Sequence, residues 1–407
     1  MPGCRGGSSQ LTISAESHDV RTIIARYYSA WSAGRKLRVD VVRAASAIIN
    51  CRTEHLGSHL ESCDCGHISN IKFNSCRHRS CPQCRGGRRA DWLQQATSDL
   101  LPCDHAHIIF TVPEQLNVLW QFNRALFADK LMTAARESLE QLLADPRYLG
   151  AKPAIISALH TWGRNLSIHP HVHCLVSAGG IDSDGQFVKS VRSVLVPARV
   201  LHAVFRGKLC DLLKKAIVSG DLVIPTLMTA AKCHSLLNRM GRVRWNVRLQ
   251  ERYPHGVSVA GYLARYMAGG PISDKRICLV TDSTVVFKYR DHRDGEEKRM
   301  KLPPQEFLSR WFEHVPPRGL RMIRRSGLYA NCCRKARQAI CAQLESTSPA
   351  VSVAEPRAAV AQVCALDPER CPRCNTCVTV RSVYHPPLVF DPVSSVAGRK
   401  FGFARPP

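Results

Sequence analysis

Two sets of side chains, far apart in the chain, have the types and spacing to do chemistry together. The run His169-Pro170-His171-Val172-His173-Cys174-Leu175-Val176 reads as a β-strand. Side chains on a strand alternate faces, so His171 and His173 project to one side while Val172, Cys174 and Val176 project to the other. Two imidazoles on one face can meet one metal ion. Some ninety residues later, Val259 to Met267 reads as a helix ended by the breaker Gly269-Gly270-Pro271, and its Tyr262 and Tyr266 are four apart on one face.

Each feature alone has a plainer explanation. A His-x-His pair is also the spacing of two ordinary half-exposed strand histidines, and two helical tyrosines are more often packing residues. The same histidine motif opens the barrel of many metal-dependent amidohydrolases. There it stands near the start of the catalytic barrel, whereas here a cysteine-rich segment and two strand-like runs precede it. Together the two features have a specific logic. A phenol with a pKa of about 10 is only about one part in a thousand ionised at neutral pH, so a tyrosine nucleophile needs help. A divalent cation on His171 and His173, magnesium or manganese, would polarise a phosphodiester and align it for attack. The resulting phosphotyrosine keeps the strand activated for rejoining. No external energy is then required, and the chain has no GxxxxGK[ST] phosphate loop. For a third metal ligand, His107, His160, His169 and a residue on the tyrosine helix remain open.

A different metal chemistry is written between residues 51 and 84, which hold six cysteines (Cys51, Cys63, Cys65, Cys76, Cys81, Cys84) and four histidines. Cys81-Pro82-Gln83-Cys84 is a knuckle that places two thiolates within reach of one tetrahedral zinc. Cys76 and His78 stand just upstream, and one or two structural zinc ions are expected from a subset of these ligands. Cys63-Asp64-Cys65 has one residue between its thiols where a knuckle has two, which leaves open whether both serve one ion. A second knuckle, Cys371-Pro372-Arg373-Cys374, with Cys364 and Cys377 near it, reads as another small site. Arg77, Arg79, Arg85, Arg88 and Arg89 flank the first knuckle and are candidates to face phosphates. A purely structural zinc fold is the alternative.

The elements that must position these groups follow from length and pattern. The 407 residues suggest two or three domains, with 45% apolar and 22% charged residues, ordinary for a folded protein. Lys+Arg 57 against Asp+Glu 32 gives a net charge of +25, which points to a polyanionic partner, nucleic acid first. Arg242, Arg244 and Arg248 lie in the basic stretch from Lys232 to Arg252, with Trp245 available for base stacking. No segment approaches the roughly 18 apolar residues of a membrane span, and the start has no signal-peptide core, so a cytoplasmic protein without a membrane partner is expected. In that compartment the 19 cysteines are metal ligands or free thiols rather than disulfides.

Strand-like runs at Ala106–Val112, Ala154–His160 and His171–Ser177 frame a helical stretch over about Glu114–Ala144. Ile277–Val280 and Thr284–Tyr289 flank Thr281-Asp282-Ser283 and read as a hairpin. The expected fold is α+β with a largely antiparallel sheet. The boundaries read as an N-terminal helical segment over 1–45, a zinc-binding domain over 46–95, a main domain over 100–340, a Ser-, Ala- and Pro-rich linker over 343–362, and a cysteine-containing tail over 363–407.

Several of these motifs, in order, resemble the HUH-type rolling-circle transposases of the insertion sequence 91 family. The residues carrying the resemblance are Asn74 to Cys84, His107 to Pro113, His160-Thr161-Trp162-Gly163, His169 to Val176 with Gly179-Gly180, Tyr262-Leu263-Ala264-Arg265-Tyr266, Phe287 to Asp291, and Phe307 to Tyr329. The resemblance implies a small zinc-binding domain ahead of an HUH nuclease domain whose ligands sit on a central antiparallel strand flanked by helices. It implies a transposase that nicks single-stranded DNA at the element's ends, joins the 5′ side to tyrosine and rejoins it. His171 and His173 become catalytic-metal ligands, and Tyr262 and Tyr266 the nucleophiles, with single- and double-stranded DNA of element ends and target as partners. A plasmid or phage replication initiator would use the same chemistry, and a non-catalytic zinc-dependent DNA-binding protein would share the charge and cysteines. The latter leaves the histidine and tyrosine pairs without a role.

Overall fold

The computed structural model describes residues 18–63, 65–192, 194–253, 261, 270–291, 294–346, 371, 373–374 and 379–384. Tyr262 and Tyr266 therefore lie outside the described residues, as does nearly all of the linker. The chain divides into two units. The larger takes Met1–Ile49 with Arg77–Ser352, and the smaller takes Asn50–Cys76 with Val353–Pro407. This partition differs from boundaries at 46–95 and 363–407. Residues 77–98 go with the larger unit, and the described part of the tail goes with the smaller one.

The larger unit begins with helices α1 (Val20–Ser32) and α2 (Val39–Ile49). Asp19 caps α1 by accepting from the Thr22 amide, and Val20, Ile23, Ile24 and Trp31 form its buried stripe. After α3 (Arg85–Ser98), the strand β3 (His105–Thr111) enters the central sheet. Next come helices α4 (Asn117–Phe122) and α5 (Arg124–Ala144). Both fall in the helical stretch expected over about 114–144. Asn123 interrupts it at φ −130° and ψ 35°, because its side-chain amide donates to the carbonyls of Leu119 and Val223 and its oxygen accepts from Val223 N–H.

The long strands β4 (Lys152–Trp162) and β5 (Ile168–Ile181) form the centre of the sheet. Beyond β6 (Phe187–Lys189), α6 (Ala198–Val218) and α7 (Ala230–Met240), β7 (Val247–Tyr253) returns to one edge and β11 (Ile323–Gly327) to the other. The order is β11-β4-β5-β3-β7 with β6 beside β5, and every pairing is antiparallel. Gly179 and Gly180 allow the close packing in the middle. A Cβ at Gly179 would come within 2.4 Å of Phe187, and one at Gly180 within 2.4 Å of the Lys152 carbonyl.

Alternation gives the sheet two faces. Ile108 and Phe110 of β3, Ile155 and Leu159 of β4, and Val172, Cys174 and Val176 of β5 pack with Leu131 and Leu139 of α5 and with Phe205 of α6 in the main core. The next residues on each strand, including His105 and His107 of β3, His160 of β4 and His171 and His173 of β5, take the opposite face. A separate sheet joins β8 (Ile277–Val280), β9 (Val285–Arg290) and β10 (Glu297–Leu302). Its first two strands are the expected hairpin, closed by reciprocal backbone bonds between Thr281 and Thr284. Helices α8 (Pro304–Glu313) and α9 (Arg334–Ser346) complete the unit.

In the smaller unit, β1 (Ser58–Ser62) and β2 (Ile68–Phe73) form a hairpin, and β12 (Thr379–Tyr384) pairs antiparallel with the other side of β1.

Candidate functional site

Register brings the histidines together. His160 stands opposite His171 across the β4–β5 ladder, while His173 stands opposite Ala158 on β4 and Ile109 on β3. Residues opposed across an antiparallel ladder share a face. The ring centroids are 4.1 Å apart for His160 and His173, 5.1 Å for His160 and His171, and 4.9 Å for His171 and His173. Their ligand atoms all lie within 4.8 Å of one another. His160 and His173 are buried and His171 is half-buried, so the cluster opens to one side. Of the candidates for a third ligand, His160 is the one that clusters with the pair among the described residues.

Neighbouring hydrogen bonds set the tautomers. His171 Nδ1 lies 2.6 Å from the His169 carbonyl, which can only accept, so Nδ1–H donates and Nε2 carries the ligating lone pair. His173 Nδ1 lies 2.8 Å from His107 Nε2 on β3, and the two rings stack with centroids 5.0 Å apart. If His173 is the donor, its Nε2 becomes the ligand atom in the same way. Burial, followed by the neighbouring His173, His171 and His107, holds the His160 pKa well below the imidazole range. Burial, followed by His171 and His107, does the same for His173. Neutral imidazoles are the form that binds metal, and three nitrogen donors on two adjacent strands fit a divalent transition ion.

Other histidines on this side are structural. His105 Nδ1–H donates to the Cys103 carbonyl at 2.8 Å, and its Nε2 accepts from the buried Tyr329 hydroxyl at 2.6 Å. His314, at the end of α8, donates through Nε2 to the Leu166 carbonyl at 3.1 Å, and its Nδ1 lies 3.2 Å from the Thr161 hydroxyl. It thereby ties the β4–β5 turn next to His160. A cavity of about 350 Å³ opens at this turn, with Arg164, Ser167, His169, Tyr289 and Arg290 in its wall.

The basic candidates divide. Arg248 is exposed on β7 opposite Ile109, in the same transverse row of the sheet as His173. Arg242 and Arg244 are exposed just before that strand, and Arg77 is exposed at φ 52°. Arg88 and Arg89 fall on α3. Two expectations are corrected. Trp245 is 2% exposed in the main core, with its indole N–H on the Met240 carbonyl, so it cannot stack on a base. Arg79 directs its guanidinium to the carbonyls of Pro316, Pro317 and Leu320 and is occupied by backbone rather than phosphate.

The cysteines divide as well. Cys63 Sγ lies 3.0 Å from the Sγ of Cys65 and 3.0 Å from that of Cys374, and Cys65 Sγ lies 3.9 Å from that of Cys371. The second knuckle is thus not a separate site but joins Cys63 and Cys65, while Cys364 and Cys377 lie outside the described residues. Cys51 is buried and Cys76 half-buried in the smaller unit, and Cys81 is buried and Cys84 half-buried ahead of α3 in the larger one.

The sequence is similar to known transposases. Residues 154–337 match a family described as a putative transposase, and residues 23–112 match the transposase zinc-binding domain. The chain is 36% identical over 334 residues to the putative transposase y4qJ of Sinorhizobium fredii, spanning 80% of this chain and 84% of the relative. It is 30% identical over 302 residues to the transposase for insertion sequence element IS801 of Pseudomonas savastanoi pv. phaseolicola, spanning 72% of each. Among solved structures, the metal-bound conjugative relaxase TrwC in complex with oriT DNA aligns over 40% of this chain and 72% of its own, at 14% identity and a TM-score of 0.23. The fold is an α+β protein with a histidine-bearing central antiparallel sheet. The chain belongs to the insertion sequence 91 family of transposases.

Proposed function

We propose that the protein nicks single-stranded DNA at the ends of its insertion sequence and rejoins it by rolling-circle transposition, through a tyrosine bonded to the DNA 5′ phosphate. The observation that carries this reading is the convergence of His160, His171 and His173 on one sheet face, their ligand atoms within 4.8 Å of one another. His160, His171 and His173 would hold a divalent cation there, and that ion would polarise the scissile phosphate. Three nitrogens accept manganese more readily than magnesium, whose hard ion prefers oxygen.

Tyr262 and Tyr266 are assigned as nucleophiles by motif. The phenol oxygen forms a bond to phosphorus, the bond from phosphorus to the 3′ oxygen breaks, and that oxygen takes up a proton to leave a 3′ hydroxyl. Attack by another strand's 3′ hydroxyl reverses the sequence and returns the tyrosine. One phosphodiester is exchanged for another, so no nucleotide cofactor is consumed. A pair of tyrosines holds two strand ends in turn.

The remaining residues position the DNA. His169 and His107 orient the ligating rings. Arg248, Arg242 and Arg244, with Arg77, Arg88 and Arg89, hold the phosphate backbone of single- or double-stranded DNA. Arg164, Tyr289 and Arg290 at the turn cavity provide cations and an aromatic face for a strand crossing it. Zinc on a subset of the cysteines of residues 51–84 would stabilise the fold of the segments that carry them. We assign the nuclease chemistry to residues 100–340. We place this work on DNA in the cytoplasm. Among the described residues no helix is long and apolar enough to cross a membrane.

Incubation with single-stranded DNA of the element end plus manganese or magnesium, followed by a denaturing gel, tests the proposal. A protein–DNA adduct that survives denaturation and needs the metal is expected. DNA that is shifted on a native gel but stays uncut would leave a zinc-dependent binding protein and overturn the nuclease reading.

A further inference from the structure

We propose that Cys63, Cys65, Cys371 and Cys374 form a tetrathiolate zinc site that clamps the C-terminal strand β12 onto the N-terminal hairpin. Half of the donors come from outside residues 23–112, the extent of the zinc-binding family match. The site is therefore a second structural element, assembled by two segments about three hundred residues apart.

Four observations carry the assignment. All four Sγ atoms lie within 4.8 Å of one another, and zinc–sulfur bonds of about 2.3 Å put the sulfurs of a tetrahedral site about 3.8 Å apart. Cys63 Sγ is equally close, at 3.0 Å, to both Cys65 and Cys374. A disulfide joins one pair of sulfurs at about 2.05 Å, whereas this is a shared cluster.

Next, backbone amides point at the sulfurs. The Cys65 amide lies 3.3 Å from Cys63 Sγ, and the Arg373 amide lies 3.4 Å from Cys371 Sγ. Each N–H reaches back two residues within its own motif, which steadies a thiolate as outer hydrogen bonds do around bound metals. The short Cys-x-Cys spacing is explained by a tight turn. Cys63 N–H bonds to the His67 carbonyl, Gly66 N–H bonds to the Cys63 carbonyl, and Gly66 sits at φ 80°. One intervening residue then suffices to bring both thiols to one point.

Finally, the backbone continues the same connection. β12 pairs with β1 along Ser58 to Ser62, the strand that runs straight into Cys63. Cys63 and Cys371 are buried while Cys65 and Cys374 are exposed, which leaves a path for the ion. Binding converts Zn²⁺ and four thiols into a doubly negative zinc tetrathiolate and releases four protons. A three-stranded sheet this small has little apolar surface to bury, so the metal contributes much of its stability.

Zinc content of the full chain, purified under reducing conditions, tests the proposal. The Cys371→Ser/Cys374→Ser double variant should hold one zinc equivalent fewer per chain than the parent. Amides of residues 379–384 should lose hydrogen-exchange protection in it, while those of β4 and β5 keep theirs. Cys374→His, which preserves a ligand, should retain both the zinc and the protection, and it decides the matter if the double variant is insoluble. Cys332→Ser, an exposed thiol outside the cluster, should change neither readout. An unchanged zinc count in the double variant overturns the site, and a lost zinc with undiminished protection of 379–384 overturns the clamp.

Discussion

His107 Nε2 lies 2.8 Å from His173 Nδ1, which links the strand β3 to a proposed metal ligand on β5 while His107 itself stays outside the three-histidine cluster. Such an outer partner fixes the ring orientation and leaves the other nitrogen for the ion. His107→Phe should weaken manganese binding by about 10- to 100-fold, the usual cost of losing an outer-shell partner. His107→Gln, which keeps an acceptor, should recover part of it. Calorimetric titration with manganese reads the effect directly, and equal affinities in parent and His107→Phe would remove the positioning role.

His160 sits opposite His171 and completes the cluster from a second strand. His160→Ala should lose more metal affinity than His107→Phe and should abolish strand cleavage while leaving DNA binding intact. A His160→Ala protein that still cleaves at the parental rate would return the third ligand to His107, His169 or a residue near Tyr262 and Tyr266.

Arg248 shares a sheet row with His173 and is exposed. Arg248→Ala should weaken single-stranded DNA binding and lower the slope of log affinity against log salt by about 0.7, the value for one phosphate contact on a single strand. Fluorescence anisotropy across a salt series measures both, and an unchanged slope would detach Arg248 from the backbone path.

Burial pushes the His314 pKa down to about 4 despite the Leu166 carbonyl that favours its charged form. An unfolded imidazole titrates near 6.5. Between those values the unfolded chain binds more protons, so the stabilisation is complete above about pH 6.5 and is lost as pH falls toward 4. The difference amounts to about 3 kcal/mol. Urea unfolding at pH 7 and pH 4.5 should show a smaller loss for His314→Gln than for the parent. Identical losses would place the acid sensitivity elsewhere.

The sequence made the sheet readable because β3, β4 and β5 are rich in Ile, Val and Leu, and the His171–His173 pair was visible in the alternation along β5. His160 could be named only as one of several ligands, since its place opposite His171 depends on strand register across a turn. The break at Asn123 was hidden because its cause, bonding to Val223, lies a hundred residues away. Trp245 and Arg79 looked available for DNA because sequence shows residue type and not burial or occupied donors. The joining of Cys63 and Cys65 to Cys371 and Cys374 has no local signal apart from the unusual single-residue spacing at Cys63 and Cys65.

The central claim of the proposal is that Tyr262 or Tyr266 takes the DNA strand in a reaction that needs a divalent metal. Mass spectrometric mapping of the nucleotide-bearing peptide from the covalent complex, repeated with Tyr262→Phe and Tyr266→Phe separately, tests it most directly. The account predicts the adduct on Tyr262 or Tyr266, lost in one or both single variants and absent without divalent metal. An adduct on any other residue, or cleavage that persists when both tyrosines are phenylalanine, would contradict it.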